Sequence, residues 1–178
     1  TKNNSKLCSK IQKLRSHGIF RLNNGKKNWQ YDQKYLGYNY RITDFQCALG
    51  RNQLKRISKI IKKRNIIAKK YDSFFKNYPI DILIPQPKIL SSYHLYVINT
   101  VERDKLYNYL RKNQIETNIN YIPIFMHSYY KKNFKFLIKN FPNTLKYFKS
   151  CLSIPIYTQM KSSDQSYVIK KIKKFYKW

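Results

Sequence analysis

The chain has 178 residues, 42% of them apolar, which is within the usual range for one domain and enough to bury a core. Its formal charge of +29 points, taken alone, to nucleic acid or an anionic surface. No apolar run approaches the roughly 20 residues that a bilayer-crossing helix needs, and no signal peptide is visible, so a cytoplasmic protein is expected.

The chain opens on Thr1 in a polar stretch that leads into a helix over Ser5 to Leu14, and it reads as a piece whose natural start lies upstream. The first strong helix signal is at Thr43, where Thr43-Asp44-Phe45-Gln46 has the form of a capping box. Phe45, Leu49, Leu54, Ile57, Ile61, Ala68, Tyr71 and Phe75 follow at mostly three- and four-residue steps, which predicts one long helix running to about Lys76. Asn77, Tyr78 and Pro79 end it, and Pro85 and Pro87 mark an irregular connection.

The period then changes. Tyr93 to Val101 reads as a strand, Arg103 to Lys112 as a short helix with Leu106 and Leu110 inward, and Ile115 to Ile122 as a second strand. Thr144 to Ser150 reads as helix and Leu152 to Tyr157 as extended chain. Ser162 to Gln165 offers a second capping box before a closing helix with Val168, Ile172 and Phe175 inward. Alternating strands and helices imply a small α/β or α+β domain from about Lys62 onward.

The basic residues fill the polar positions of nearly every predicted helix, as in Lys55, Arg56, Lys59, Lys62, Lys63, Lys69 and Lys70. A nucleic-acid module concentrates them on one face or loop. Spread in this way, and beside a richness in Asn, Ile, Tyr and Phe with only two Ala, they read mainly as solvated filler. A basic nucleic-acid-binding module stands as the alternative from another class.

Cys8, Cys47 and Cys151 are scattered and contain no Cys-x-x-Cys pair, which argues against a disulfide framework or a zinc site. The three His and eight acids show no metal-ligand spacing, so no metal is expected. Gly18, Gly25, Gly37 and Gly50 are isolated, so no glycine-rich phosphate loop exists. Backbone donors at a helix start attract anions, however, and Asn39 and Arg41 stand just before Thr43, which outlines a phosphate site. From spacing alone a structural reading competes and is favoured: Arg41 paired with an acid such as Asp44, with Tyr38 and Tyr40 packing. In Ser91 to Tyr96, alternation puts Tyr93, Leu95 and Val97 on one strand face and His94 with Tyr96 on the other. A lone strand His is more often structural than catalytic. Tyr121 to His127, YIPIFMH, reads as a strand end in a proline turn with a His after it, where loops carry ligand contacts.

Taken in order, the segments Arg15-Ser-His-Gly-Ile19, Trp29-x-Tyr31-Asp32, Leu36-Gly-Tyr-Asn-Tyr-Arg41 with Thr43-Asp44, and Ala48-Leu49-Gly50-x-x-Gln53-Leu54 resemble the DegT/DnrJ/StrS family of PLP-dependent nucleotide-sugar aminotransferases. Ser91-Ser-Tyr-His-Leu-Tyr96, Tyr121-x-Pro123 with His127, and Leu152-Ser-Ile-Pro-Ile-Tyr157 continue the match over essentially the whole chain. Within the family, RSHGI, GYNYR and SSYHLY are most similar to the branch serving pseudaminic acid biosynthesis.

The resemblance implies an α/β fold, the C-terminal part of a fold-type-I aminotransferase. Residues 1–61 would end the PLP-binding large domain and carry a dimer-crossing motif, and residues 62–178 would form the small domain. It further implies a homodimer with shared active sites, pyridoxal 5'-phosphate as cofactor, glutamate as amino donor and a 4-keto-6-deoxy UDP-sugar as acceptor. Asn39 would reach the PLP phosphate of the partner subunit, and Arg41 the same anionic region or the substrate diphosphate. Tyr93, His94, Tyr121 and His127 would shape the nucleotide-sugar pocket. The family's Schiff-base lysine lies upstream of Thr1, and Lys2 and Lys6 fall after its position, so the 178 residues alone are expected to be inactive. Relatives that carry His at that upstream position act as sugar dehydratases, an alternative within the family.

Overall fold

A computed structural model of the chain describes residues 4–21, 31–135 and 138–178. Trp29 and Gly25 lie outside the described residues. The chain divides into two compact units, Thr1–Lys55 and Arg56–Trp178.

The N-terminal unit contains α1 (Ser5–Leu14), the strands β1 (Ile19–Arg21) and β2 (Tyr31–Gln33), and α2 (Asp44–Lys55). Helix α1 starts where Asn4 Oδ1 accepts the Leu7 N–H at 2.9 Å. β1 and β2 pair antiparallel, with Ile19 opposite Gln33. Neither helix buries a residue: Leu7, Ile11, Phe45, Leu49 and Leu54 are all exposed.

The single long helix predicted from the apolar stripe is two. It is interrupted at Arg56, whose φ of −99° and ψ of −3° leave the helical ladder, and α3 (Ile57–Phe75) begins after it. The stripe is continuous in sequence, but only its second half has a core to pack on: Ile67, Ala68, Tyr71 and Phe75 are buried.

The C-terminal unit continues with β3 (Asp81–Ile82), β4 (Tyr96–Asn99), α4 (Arg103–Lys112), α5 (Ser128–Asn133), α6 (Pro142–Ser150), β5 (Cys151–Ile154) and α7 (Ser162–Tyr176). Its sheet runs β3-β4-β5, all antiparallel, with Ile82 opposite Ile98 and Ile98 opposite Leu152. Ile98, Leu106, Leu110, Leu152 and Ile172 are fully buried, each contributing roughly 1.5–3 kcal/mol of transfer free energy. Leu106 and Leu110 point inward from α4, as their spacing predicts.

Helix α7 is tied to α3 by polar contacts as well. Gln165 Nε2 donates to the Ile67 carbonyl at 2.7 Å, and Lys70 Nζ donates to the Ser162 and Ser166 hydroxyls, so this lysine is not mere solvated filler. The second capping box sits one residue earlier than predicted: Asp164 accepts the Lys161 N–H at 3.1 Å. Ser162 and Gln165 are thereby helical, and Gln165 is free to reach α3. Cys8 and Cys47 are half-buried and Cys151 buried, all as free thiols.

Tyr71 and Tyr96 pack ring to ring at 4.8 Å; their hydroxyls donate to the Pro155 carbonyl and to Asp72 Oδ1, the latter at 2.7 Å. Burial pushes both phenols well above the ordinary tyrosine range, and for Tyr96 the hydrogen bond to Asp72 adds to it. A phenol whose folded pKa is raised contributes stability that is intact below about pH 10 and lost as pH climbs above it, by up to about 1.4 kcal/mol per pH unit. We therefore expect the urea midpoint to fall between pH 8 and pH 11, and to fall less in Tyr96→Phe, which has no proton to lose there. Equal slopes in the two proteins would rule out Tyr96 as a source.

Candidate functional site

Two of the sequence segments singled out above are one structural unit. After α1 the chain turns through His17 and Gly18, and Leu36–Tyr40 runs back along it. Tyr38 N–H donates to Leu14 O at 2.9 Å, His17 N–H to Tyr38 O at 3.0 Å and Tyr40 N–H to Arg15 O at 2.8 Å, with Ser16 bridged to Asn39. Both glycines are there for lack of a side chain. A Cβ on Gly18, at φ +69°, would fall 1.9 Å from Tyr35 O, and one on Gly37 would fall 2.5 Å from Gly18 N and Leu14 O. Gln33 Nε2 donates to His17 O at 2.9 Å and closes the turn.

This pairing sets Asn39 and Arg41 on exposed chain ahead of α2. Arg41 Nε donates to Asn39 Oδ1 at 3.0 Å. The Arg41–Asp44 ion pair weighed from the sequence does not form, because the guanidinium turns back to the amide. Tyr38 and Tyr40 are not buried packing either: their rings stack on each other at 5.1 Å while staying 63% and 71% exposed. The capping box forms as read, with Gln46 N–H donating to Thr43 Oγ1 and Thr43 N–H to Gln46 Oε1. With its oxygen taken, Asn39 has its amide N–H pair to offer, and Arg41 its terminal nitrogens. Such a donor set suits a phosphate-like dianion.

In the C-terminal unit the Ser91–His94 stretch is a clamped turn, not the start of a strand. β4 begins only at Tyr96, so His94 and Tyr96 do not share a strand face, and Tyr96 is buried where His94 is exposed. Asn65 Nδ2 on α3 donates to the Ser91 and Ile61 carbonyls, both at 2.9 Å, and Arg64 Nη1 reaches Tyr93 O at 3.4 Å. Tyr93 N–H donates to Ser91 Oγ, and Tyr93 itself has φ +42°. Held this way, Tyr93 lines a cleft of about 520 Å³ with Leu83, Ile84, Ile89 and Tyr147. Burial, with Asp72 adding to it, raises its phenol pKa.

Arg64 and Asn65 escaped the sequence reading. Their signal was present: a polar pair three and four residues after Ile61 interrupts the apolar stripe of α3 where a core residue belongs.

The strand expected over Ile115 to Ile122 reduces to one bridge, Asn118 with Ser153. Asn side chains take up the neighbouring groups instead, Asn118 Oδ1 accepting the Ile119 N–H and Asn120 Oδ1 accepting the Ser153 hydroxyl. Tyr121 is 74% exposed beyond the bridge, and Pro123 caps a 3-10 turn over Ile124–Met126. His127 is exposed at the start of α5, where its carbonyl accepts the Lys131 N–H. Tyr93 and His94 therefore share one turn, and Tyr121 and His127 another segment. No hydrogen bond or ring contact joins the two pairs among the described residues. Asn39 and Arg41 belong to the other unit. Among the described residues no His, Cys, Asp and Glu side chains gather as a metal site, and no helix is long and apolar enough to cross a membrane.

The sequence model of the DegT/DnrJ/EryC1/StrS aminotransferase family matches residues 1–173. A UDP-4-amino-4,6-dideoxy-N-acetyl-beta-L-altrosamine transaminase of Campylobacter jejuni is 36% identical over 98% of this chain and 48% of its own length. The spore coat polysaccharide biosynthesis protein SpsC of Bacillus subtilis is 31% identical over 97% of this chain and 48% of its own. Among solved structures, Helicobacter pylori PseC, an aminotransferase involved in the biosynthesis of pseudoaminic acid, superposes with a TM-score of 0.89 at 27% identity, over 98% of this chain and 47% of that one. Spr1654 of Streptococcus pneumoniae, solved in its PLP form, gives a TM-score of 0.86 at 26% identity, over 97% of this chain and 44% of that one. The chain thus spans about half the length of the curated relatives it matches.

Proposed function

The chain belongs to the DegT/DnrJ/EryC1/StrS aminotransferase family, and from that premise we propose that it works as the C-terminal portion of a PLP-dependent nucleotide-sugar aminotransferase in the cytoplasm. The lysine that holds the cofactor comes from the preceding portion of the whole protein, so the 178 residues alone transfer no amino group. The whole protein exchanges the amino group of glutamate for the oxo group of a 4-keto-6-deoxy UDP-sugar, in the making of a surface-glycan sugar. Similarity to the Campylobacter jejuni transaminase and to PseC supports that choice of substrate.

The observation that carries the reading is the pairing of the Arg15–Gly18 turn with Leu36–Tyr40, which presents Asn39 and Arg41 together. Their donors fit the phosphate of PLP. Asn39 would hold the phosphate of cofactor bound in the partner subunit of a homodimer, and Arg41 the same region or the diphosphate of the sugar nucleotide. When bound, the cofactor supplies the electron sink for amino transfer. This chain's part is to bind and orient. Tyr93 and His94, set by the Arg64 and Asn65 clamp, line the sugar-nucleotide pocket with Tyr121 and His127. The exposed apolar side chains of α1 and α2 suit a unit that ends a larger domain and is covered by the rest of it.

The test is made in the whole protein. Asn39→Ala should weaken PLP retention about tenfold, the loss of one charge-assisted hydrogen bond, while Arg41→Ala mainly raises the KM for the UDP-sugar. Cofactor and substrate affinities unchanged in both variants would remove the phosphate assignment.

A further inference from the structure

The N-terminal half of α3 borders a cleft of about 180 Å³, lined by Arg56, Lys59, Ile60 and Lys63 and by Thr158 and Gln159 in the loop between β5 and α7. All six residues belong to the C-terminal unit. Lys59 and Lys63 stand four residues apart on one face of α3, and Arg56, at the N-cap of the helix, lines the same cleft. No carboxylate lines the cleft. The ion pairs among the described residues, Arg103 with Asp104, Lys105 with Glu102 and Arg111 with Glu116, leave all three cations out.

The opposite wall adds donors too. Thr158 Oγ1 donates to Gln159 Oε1 at 2.8 Å, which uses the acceptor of the amide and leaves its Nε2 hydrogens unspent. Like charges at three- and four-residue helical spacing repel and destabilise their helix. A ligand that bridges them removes that repulsion, and the ligand must bring several anionic acceptors in a small volume.

We propose that this cleft is a binding site for a phosphate-type oxyanion, free phosphate or the diphosphate ion, held by Arg56, Lys59 and Lys63. Charge-assisted bonds from guanidinium and ammonium groups supply the affinity.

The test is calorimetric titration of inorganic phosphate and of pyrophosphate into the whole protein and two charge-matched variants of it. Lys59→Ala/Lys63→Ala removes two cations from the cleft; Lys170→Ala/Lys174→Ala removes two from exposed positions of α7 that do not line it. All four sites are exposed helix positions where Ala favours the helix, and an unchanged circular dichroism spectrum and urea midpoint check that both variants keep the fold. We expect a saturable site for at least one of the two ions in the native chain, and the same site in Arg41→Ala, which separates it from the Asn39 and Arg41 donors of the proposed function. Its affinity should fall about tenfold or more in the cleft variant and stay within about twofold in the α7 variant. Equal loss in both variants shows diffuse attraction to a highly basic surface and overturns the proposal. So does an unchanged affinity in the cleft variant, or a native chain without a saturable site for either ion.

Discussion

In Gly18→Ala, the amides of His17, Tyr38 and Tyr40 should lose their protection from hydrogen exchange, and under the role proposed for Asn39 the whole protein should retain PLP less well. The added Cβ would sit 1.9 Å from the Tyr35 carbonyl oxygen and 2.7 Å from its carbon, backbone atoms that no rotamer change can move. Alanine at φ +69° adds about 1–2 kcal/mol of local strain. The chain relieves both by separating Leu36–Tyr40 from the Arg15–Gly18 turn. That separation breaks the three hydrogen bonds that place Asn39, and neither α1 nor α2 buries a residue that would compensate for them. Gly50→Ala is the contrast. Nothing lies within 4 Å of a Cβ there, and the residue is inside α2, so the substitution should raise helix stability by about 0.5–1 kcal/mol. Native-like protection of His17, Tyr38 and Tyr40 in Gly18→Ala would mean that the turn tolerates a side chain and that the glycine has another purpose.

Leu152→Ala should cost the C-terminal unit about 2–5 kcal/mol, read as a shift of the urea midpoint followed by circular dichroism. Leu152 is fully buried on β5, directly opposite Ile98, and both belong to the cluster with Leu106, Leu110 and Ile172. The cavity opens between the sheet and its helices, where closed ladders on β4 and the bridge at Ser153 limit collapse. Val101→Ala, at a residue 99% exposed, should stay within about 0.5 kcal/mol of the native chain. A Leu152→Ala loss no larger than that of Val101→Ala would show that β5 is not the centre of this core.

Much of the local structure was open to reading in advance. Helix α4 has the bounds its spacing implies, the Thr43–Gln46 capping box forms with both hydrogen bonds, and the order of motifs led to the family that the comparisons show. Each of these depends on residues within a few positions of one another: a 3.6-residue period, a side chain reaching its own helix end, a short signature. The strands were harder. Tyr93 to Val101 and Ile115 to Ile122 both have β-type composition, yet only Tyr96–Asn99 pairs along its length, because a ladder needs a partner as well as a pattern.

The candidate site divides along the same line. Asn39, Arg41, Tyr93, His94, Tyr121 and His127 could be named from their segments. That RSHGI and LGYNYR are two sides of one pairing, that Arg41 prefers Asn39 to Asp44, and that Arg64 and Asn65 hold the Ser91–Tyr93 turn could not. Those contacts join residues as far as 29 positions apart, and what selects them is which carbonyls and amides the folded chain leaves without a partner. Periodicity, capping and family membership are properties of the order of residues along the chain; the partners of its polar groups are settled only when the chain closes on itself and each buried donor must find an acceptor.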